Sequence, residues 1–193
     1  MGMLILGLVL FLGVHSVRIF ANDWRSQVIA QRGEGTWKGL YSVLSIVGLV
    51  LVVWGYGLAR QQPVVLWVPP VAMRHIAALL TLASFILLVA AYVPRNDVKT
   101  WLHHPMVLGV KVWAFAHLLS NGYLADVVLF GAFLVWSVLS FRAARARDRA
   151  AGTAYPRGTL TGTAITLVAG TVAWVVFALW LHVMLIGVRP FGG

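Results

Sequence analysis

Long apolar runs, separated by short polar or basic stretches, dominate the pattern of hydrophobic and polar positions along this chain. Most of these runs reach the ~20 residues that a helix needs to cross the hydrocarbon core of a bilayer. The pattern therefore predicts an all-α fold, a polytopic transmembrane bundle of about six helices that forms a single integral-membrane domain over residues 1–193. The runs lie near residues 3–20, 37–58, 70–94, 104–121, 124–142 and 160–187.

The composition favours the same fold class. The chain is 61% hydrophobic and only 10% of its residues are charged, against about 25% in soluble domains. It has no cysteine, which excludes disulfides, iron–sulfur clusters and thiolate-ligated haem. The first apolar run lacks a basic leader and continues into a basic segment, so we expect a retained helix rather than a cleaved signal peptide.

The charge pattern predicts an orientation. The net charge is +10, and its basic residues are concentrated in loops, so we expect contact with anionic membrane lipid and no nucleic-acid partner. Eleven Lys and Arg residues follow the first, third and fifth runs, and the other side has only Arg60, Arg74 and Arg189. The positive-inside rule then predicts an N-out/C-out protein of the bacterial inner membrane.

Two histidines lie inside apolar runs, His15 in GLVLFLGVHSVRIF and His117 in VKVWAFAHLLSNG. Ionisable side chains are costly in hydrocarbon, which marks functional sites, and imidazole is a common ligand of metals and haem iron. We place their Cα atoms roughly 12 Å apart along the membrane normal. Because helical side chains lean toward their own N-terminus, both rings lean toward the midplane. The pair could share an iron, or each ring could hydrogen-bond across helices.

Other side chains offer alternatives. Arg18, one turn from His15, and Lys111, inside the fourth run, could neutralise a haem propionate or another anion, although Arg18 could instead reach water at the interface. The spacing of His103 and His117 corresponds to ~21 Å along a helix, as for two stacked haems, and His117 would then pair with another histidine. The remaining candidate ligands are His75, His104 and His182.

Four segments of the chain resemble the NnrU family of bacterial membrane proteins, and the resemblance spans nearly the whole sequence. It implies an association with denitrification, in the expression or activity of nitrite and nitric oxide reduction. The most specific segment is HPMVLGVKVWAFAHLLSNG, and the others are GVHSVRIF, KGLYSVLSIVGLVLVVWGYG and WLHVMLIGV.

The NnrU family is similar to the plant zeta-carotene isomerase, which binds haem b through two histidines and isomerises a polyene double bond. The isomerase pattern of HP followed by AH matches His104-Pro105 and Ala116-His117, and its first-helix HS pattern matches His15-Ser16. The resemblance therefore implies haem b with metal ligands at His15 and His117. Where the isomerase usually has arginine before HP, this chain has His103.

Three functions follow as hypotheses. The first is a haem b protein that senses or handles nitric oxide, or passes electrons. The second is a redox-gated isomerase of a lipidic polyene, and the third is a non-catalytic membrane subunit or assembly factor for a reductase. HHPMVLG also resembles membrane methyltransferases of isoprenylcysteine type, which would need further polar residues after the last helix. Substrate and oligomeric state stay open.

Overall fold

The computed structural model describes residues 1–191, and helices account for most of them. Five stretches are long and apolar enough to cross a membrane, and a sixth apolar helix, α6, has 16 residues. The predicted all-α bundle of about six membrane helices is confirmed. The long helices are α1 (Gly2–Phe20), α3 (Glu34–Arg60), α4 (Val71–Ala90), α6 (Pro105–Ser120), α7 (Leu124–Ala151) and α8 (Leu160–Val176). A π-helical turn (Phe177–Leu181) joins α8 to the short α9 (His182–Ile186).

The loops contain more helix than the hydropathy pattern indicated. Two short polar helices, α2 (Asn22–Arg32) and α5 (Asp97–Leu102), occupy stretches predicted as loops. Helix α7 continues past its predicted end at residue 142, because FRAARARDRAA is rich in the strong helix formers Ala and Arg. It ends at Gly152, whose φ of 60° is the left-handed conformation that glycine adopts easily.

The helices pack side by side in the order α3, α1, α7, α6, α4, α8. At one end, Leu66 N donates to Gly122 O at 2.8 Å, and an Arg60 guanidinium N–H donates to Ile186 O at 2.8 Å. We call this the cavity end; it includes residues 61–70, 121–123 and 187–191. The opposite end, with residues 21–33, 91–104 and 152–159, carries most of the basic loop residues and is called the basic end. That it faces the cytoplasm stays a prediction.

Glycines bring α1 and α3 into close contact. A Cβ atom added at Gly7 would lie 2.5 Å from Val52 N, and one added at Gly48 would lie 2.8 Å from Phe11 N. Small residues of this kind let membrane helices approach until their backbones touch. Because the two backbones touch at these glycines, no ligand fits between α1 and α3 there.

Helix α4 contacts α6 and α8 in the same way at mid-height. Ser84 Oγ donates to Gly109 O at 2.8 Å, and a Cβ added at Gly170 would lie 2.7 Å from Ile86 Cα. Toward the cavity end, the facing positions become large aromatic residues, among them Trp113 and Trp174. The three helices therefore touch near their middle and leave a space between them at the cavity end.

Candidate functional site

A cavity of about 720 Å³ lies between α4, α6 and the α8–α9 segment, at the cavity end. Residues 65–69 and 187–191 contribute to its walls. Its volume falls in the range of roughly 300–1,000 Å³ that is usual for small-molecule and cofactor sites. The aromatic residues that line it include Trp67, Phe85, Trp113, Trp174 and Phe177.

His117 is on the wall of this cavity. Its Nδ1 lies 2.8 Å from Trp113 O, and because a carbonyl oxygen can only accept, Nδ1 must carry the proton. Nε2 of the neutral ring then keeps its lone pair, and no described residue hydrogen-bonds to it. Metal-ligating histidines are usually fixed in this way, by an N–H bond from the other ring nitrogen. The ring also stacks on Phe130, with centroids 4.5 Å apart.

Two arginines and several neutral polar groups complete the cavity. Arg74 at the start of α4 and Arg189 after α9 both line it and are both exposed. A guanidinium group matches the geometry of a carboxylate. Trp174 Nε1 donates to Thr81 Oγ1 at 3.0 Å, which fixes one aromatic wall against α4. The cavity thus combines a nitrogen ligand, flat apolar walls and two positive charges.

His15 has the same hydrogen bond as His117 but different surroundings. Its Nδ1 lies 2.6 Å from Phe11 O, so its Nε2 also keeps a lone pair. The ring packs against Phe11 at 4.2 Å and Tyr41 at 5.1 Å between centroids, and it is not on the cavity wall. His15 therefore has an available nitrogen, but its ring is packed against aromatic neighbours and does not line the cavity.

The structure places His15 and His117 at different levels beside α7. His117 stacks on Phe130 and His15 contacts Trp136, six positions further along α7, which corresponds to about 9 Å of helix. The side chain of Phe133 lies between these two levels, with its ring 5.9 Å from Phe11 and 5.5 Å from Trp113. An aromatic layer thus separates the two predicted ligands, and the histidine that shares the cavity with His117 is His182.

The other predicted cofactor contacts lie away from the cavity. Arg18 is exposed, and its carbonyl accepts from Arg147 at the basic end. Lys111 is half-buried, with Nζ 5.5 Å from the centre of the Phe141 ring. His75 is exposed beside Arg74 and is not on the cavity wall. None of these three side chains lines the cavity that His117 shares.

His104 belongs to a separate cluster at the basic end. Its Nε2 lies 2.8 Å from Asp148 Oδ2, and the same oxygen accepts from the Tyr155 hydroxyl at 2.8 Å. Burial, followed by the hydrogen bond to Asp148, raises the pKa of Tyr155 to about 12. Burial and then Arg145 lower the pKa of His103, whose ring meets the Tyr155 ring at 4.2 Å.

This basic-end cluster has the character of a structural network. His104 Nε2 and the Tyr155 hydroxyl both hydrogen-bond to Asp148, and these contacts connect the loop after α7 to the start of α6. The pocket beside it measures about 200 Å³, much less than the cavity. His104, which the sequence predicted as a cofactor contact, therefore lies at the opposite end of α6 from His117.

Sequence reasoning singled out His117 but missed the two cavity arginines. Arg74 and Arg189 are two of the three loop cations on the side that the positive-inside count leaves nearly free of charge. The positive-inside count used these two arginines only to assign the orientation and did not single them out as a site. The aromatic walls gave no signal either, because aromatic residues occur in every membrane helix of this chain.

A bare metal ion has little to bind here. In the part of the chain that the structure describes, no three or more His, Asp or Glu side chains are grouped to hold one. A metal centre at His117 would therefore have to bring most of its own ligands, as the iron of a haem does. The donor set and the space beside it fit such a group.

The comparisons with known proteins give one match. A family model described as NnrU protein matches residues 3–190, nearly the whole chain. No curated protein and no solved structure matches it.

Proposed function

The chain belongs to the NnrU family, and on that premise we propose that it is a membrane haem b protein of nitrogen-oxide metabolism. In this proposal the cavity would hold the haem and His117 would bind its iron. The link to nitrite and nitric oxide reduction comes from the family resemblance. The haem also follows from the resemblance, and the arrangement of side chains at the cavity end supports it.

One observation carries the proposal: the Nε2 atom of His117 is unpartnered, and the ring that bears it lines a cofactor-sized aromatic cavity. Aromatic side chains suit the flat apolar face of a porphyrin, and two guanidinium groups suit its two carboxylates. Arg74 and Arg189 provide those groups at the exposed rim. The chemistry of the lining therefore fits haem b on three independent counts.

The residues of the chain would hold and tune the site in defined ways. The Nδ1–H bond to Trp113 O fixes the rotation of the His117 ring and makes Nε2 a better donor. The aromatic walls would place apolar surface against the bound group, and the hydrophobic shell around a metal site helps to set its redox potential. When bound, haem supplies an iron that exchanges single electrons and takes diatomic ligands such as nitric oxide.

The pairing of His15 with His117 stays a prediction from the resemblance. It requires Phe11, Phe133 and Trp113 to move from their present packing, because these rings contact one another between the two histidines. Well-packed interiors resist such movement. The proposal therefore commits only to His117, and the experiment below also reports on His15.

The test is the visible spectrum of the full chain, purified in mild detergent after expression with ample haem. We expect haem b in the wild type, a nitric oxide-induced shift in the reduced protein, and at least about tenfold less haem in His117→Ala, because even the loss of a partner that only orients a ligand costs about 10–100-fold in metal affinity. The matched control is His75→Ala, an exposed histidine off the cavity wall, which should retain the haem.

Other outcomes would reject the proposal. A colourless wild type would favour the non-catalytic subunit or assembly factor, and His117→Ala with full haem content would place the haem elsewhere. Loss of haem in His15→Ala alone would return the site to the α1 side. An unshifted spectrum with nitric oxide would remove the sensing role while leaving haem binding in place.

A further inference from the structure

A second histidine, His182, lies on the wall of the same cavity as His117. Its Nδ1 lies 2.7 Å from Val188 O and must donate to it, so Nε2 again keeps a lone pair. We propose that His182, rather than His15, is the second nitrogen ligand of this site, and that it is held less firmly than His117. The inference rests on the proposed function, because it assigns a second ligand to the same haem.

The local fold explains why a residue of the last helix reaches the cavity. Immediately before His182, the π-helical turn Phe177–Leu181 interrupts the helix that began at Leu160. One extra residue in a turn rotates every later side chain by about 100° relative to a continuous α-helix. The Phe177 ring also meets the His182 ring edge-on at 5.9 Å. Such π turns are rare and frequently occur at functional sites.

The two histidines are supported very differently. His117 is part of α6, which packs between α4 and α7, and its hydrogen-bond acceptor is in the same helix. His182 begins the five-residue α9, which ends at Gly187 with a φ of 77°. Its acceptor, Val188 O, lies beyond that turn. The hydrogen bond that orients His182 therefore depends on a short terminal segment.

Helix α9 itself has few supports. Among the described helical elements, it packs only against its own π turn, and Arg60 donates one hydrogen bond to its last residue, Ile186, at 2.8 Å. Elements with few packed contacts open at low free-energy cost. Release of His182 would thus leave the rest of the bundle unchanged, whereas release of His117 would require α6 to move.

This asymmetry has a chemical consequence. A small diatomic ligand needs a free coordination position, and a departing His182 provides it while His117 keeps the prosthetic group in place. Because α9 and residues 187–191 form part of the cavity wall, their displacement also changes the surface at the cavity end. The same step that admits the ligand could therefore be read by a partner of the protein.

The test uses the full chain purified with haem and compares wild type, His182→Ala, His15→Ala and His117→Ala. Electron paramagnetic resonance of the oxidised state and the visible spectrum report the spin state. We expect low-spin, six-coordinate haem in the wild type and in His15→Ala. His182→Ala should retain its haem in a high-spin, five-coordinate state, and His117→Ala should lose it.

Carbon monoxide is the probe for access to the reduced site. If His182 is released for about a tenth of the time or less, its removal should accelerate carbon monoxide binding by about tenfold or more. His75→Ala, whose side chain is off the cavity wall, should bind at the wild-type rate. His182→Met should restore a six-coordinate state with a changed spectrum, because thioether is also a haem ligand.

Every other outcome would overturn either this inference or the proposed function. A low-spin His182→Ala that binds carbon monoxide at the wild-type rate, or a high-spin His15→Ala, would overturn this inference and leave haem binding at His117 intact. A five-coordinate wild type would overturn it as well. A wild type without haem would reject the proposed function itself. If His182→Ala does not fold, an unchanged spectrum in His182→Met would overturn the inference.

Discussion

The two histidines inside the apolar helices, His15 and His117, have the same local structure and opposite surroundings. Each donates from Nδ1 to the carbonyl four residues earlier in its helix. The ring of His15 is packed among Phe11, Tyr41 and Trp136, whereas that of His117 lines a cavity of about 720 Å³. Position in a membrane helix and ring tautomer are therefore the same for the two residues, and what differs is that His117 lines the cavity.

The difference in space has its origin in residue size. Gly7, Gly48 and Gly55 let α1 and α3 touch over much of their length, beside His15. In the half formed by α4, α6 and α8, the close glycine contacts between helices lie near mid-height. Nearer the cavity end, tryptophans such as Trp113 and Trp174 hold these helices apart. Small residues therefore let α1 and α3 pack without a gap, and large aromatic residues keep the cavity between α4, α6 and α8 open.

The largest expected effect comes from disturbing the α1–α3 contact. A side chain at Gly55 would overlap the backbone of Leu4, whereas Gly57, two positions on, has nothing within 4 Å of an added Cβ. We expect Gly55→Leu to destabilise the protein by about 3 kcal/mol or more and Gly57→Leu to have little effect. Thermal unfolding in detergent measures both. Equal melting temperatures would contradict the close α1–α3 contact.

The next effect comes from filling the cavity. Ala78 lines the cavity, and Ala83 on the same helix is exposed and does not. Ala78→Trp should weaken haem binding by about 1–3 kcal/mol, the usual cost of overpacking, or about 5- to 150-fold in affinity. Ala83→Trp should bind haem as the wild type does. Haem titration of both variants measures the effect, and full affinity in Ala78→Trp would place the haem outside the cavity.

A smaller effect is expected at the rim. Because Arg74 and Arg189 are exposed, each ion pair with a haem carboxylate should contribute about 0.2–1 kcal/mol. Arg74→Gln and Arg189→Gln should each lower haem affinity by about 1.4- to fivefold, less at high salt. Arg32→Gln, an exposed arginine at the basic end, is the matched control. An equal loss in Arg32→Gln would mean that general charge, rather than these two groups, attracts the haem.

Substitutions at the basic end should have the smallest effect on haem binding. The raised pKa of Tyr155 means that the folded protein holds this proton more tightly than the unfolded chain, whose tyrosine pKa is near 10. The stabilisation is complete below pH 10 and is lost as the pH rises toward about 12. Tyr155→Phe should flatten the fall of melting temperature over that range and leave haem content unchanged. Tyr92→Phe, at an exposed tyrosine, should leave the wild-type profile.

The apolar runs predicted the membrane helices well because helix length and hydropathy are set locally. The last run, predicted over residues 160–187, covers α8, the π turn and α9. The pattern could not show the π turn, since one extra residue per turn barely changes apolar periodicity over so short a stretch. It also could not show that FRAARARDRAA extends α7, because the high charge of that segment is typical of a loop between membrane helices.

The candidate site was only partly predictable. A histidine in hydrocarbon is visible in the sequence, and His117 and His182 were both among the candidates. Which of the histidines share a space depends on how α4, α6 and α8 separate, and this is a property of tertiary packing. The basic-end partners Asp148 and Tyr155 were hidden for the same reason, because they meet His104 only after the loop following α7 folds back.

The most direct test of the central claim is the position of iron in a structure of the purified, haem-loaded protein, located by anomalous scattering or by cryo-electron microscopy. The account predicts one iron in the cavity, bonded to His117 Nε2, with the haem carboxylates toward Arg74 and Arg189. Iron beside His15 or His104, or a cavity that stays free of haem when the protein is saturated with it, would contradict the account.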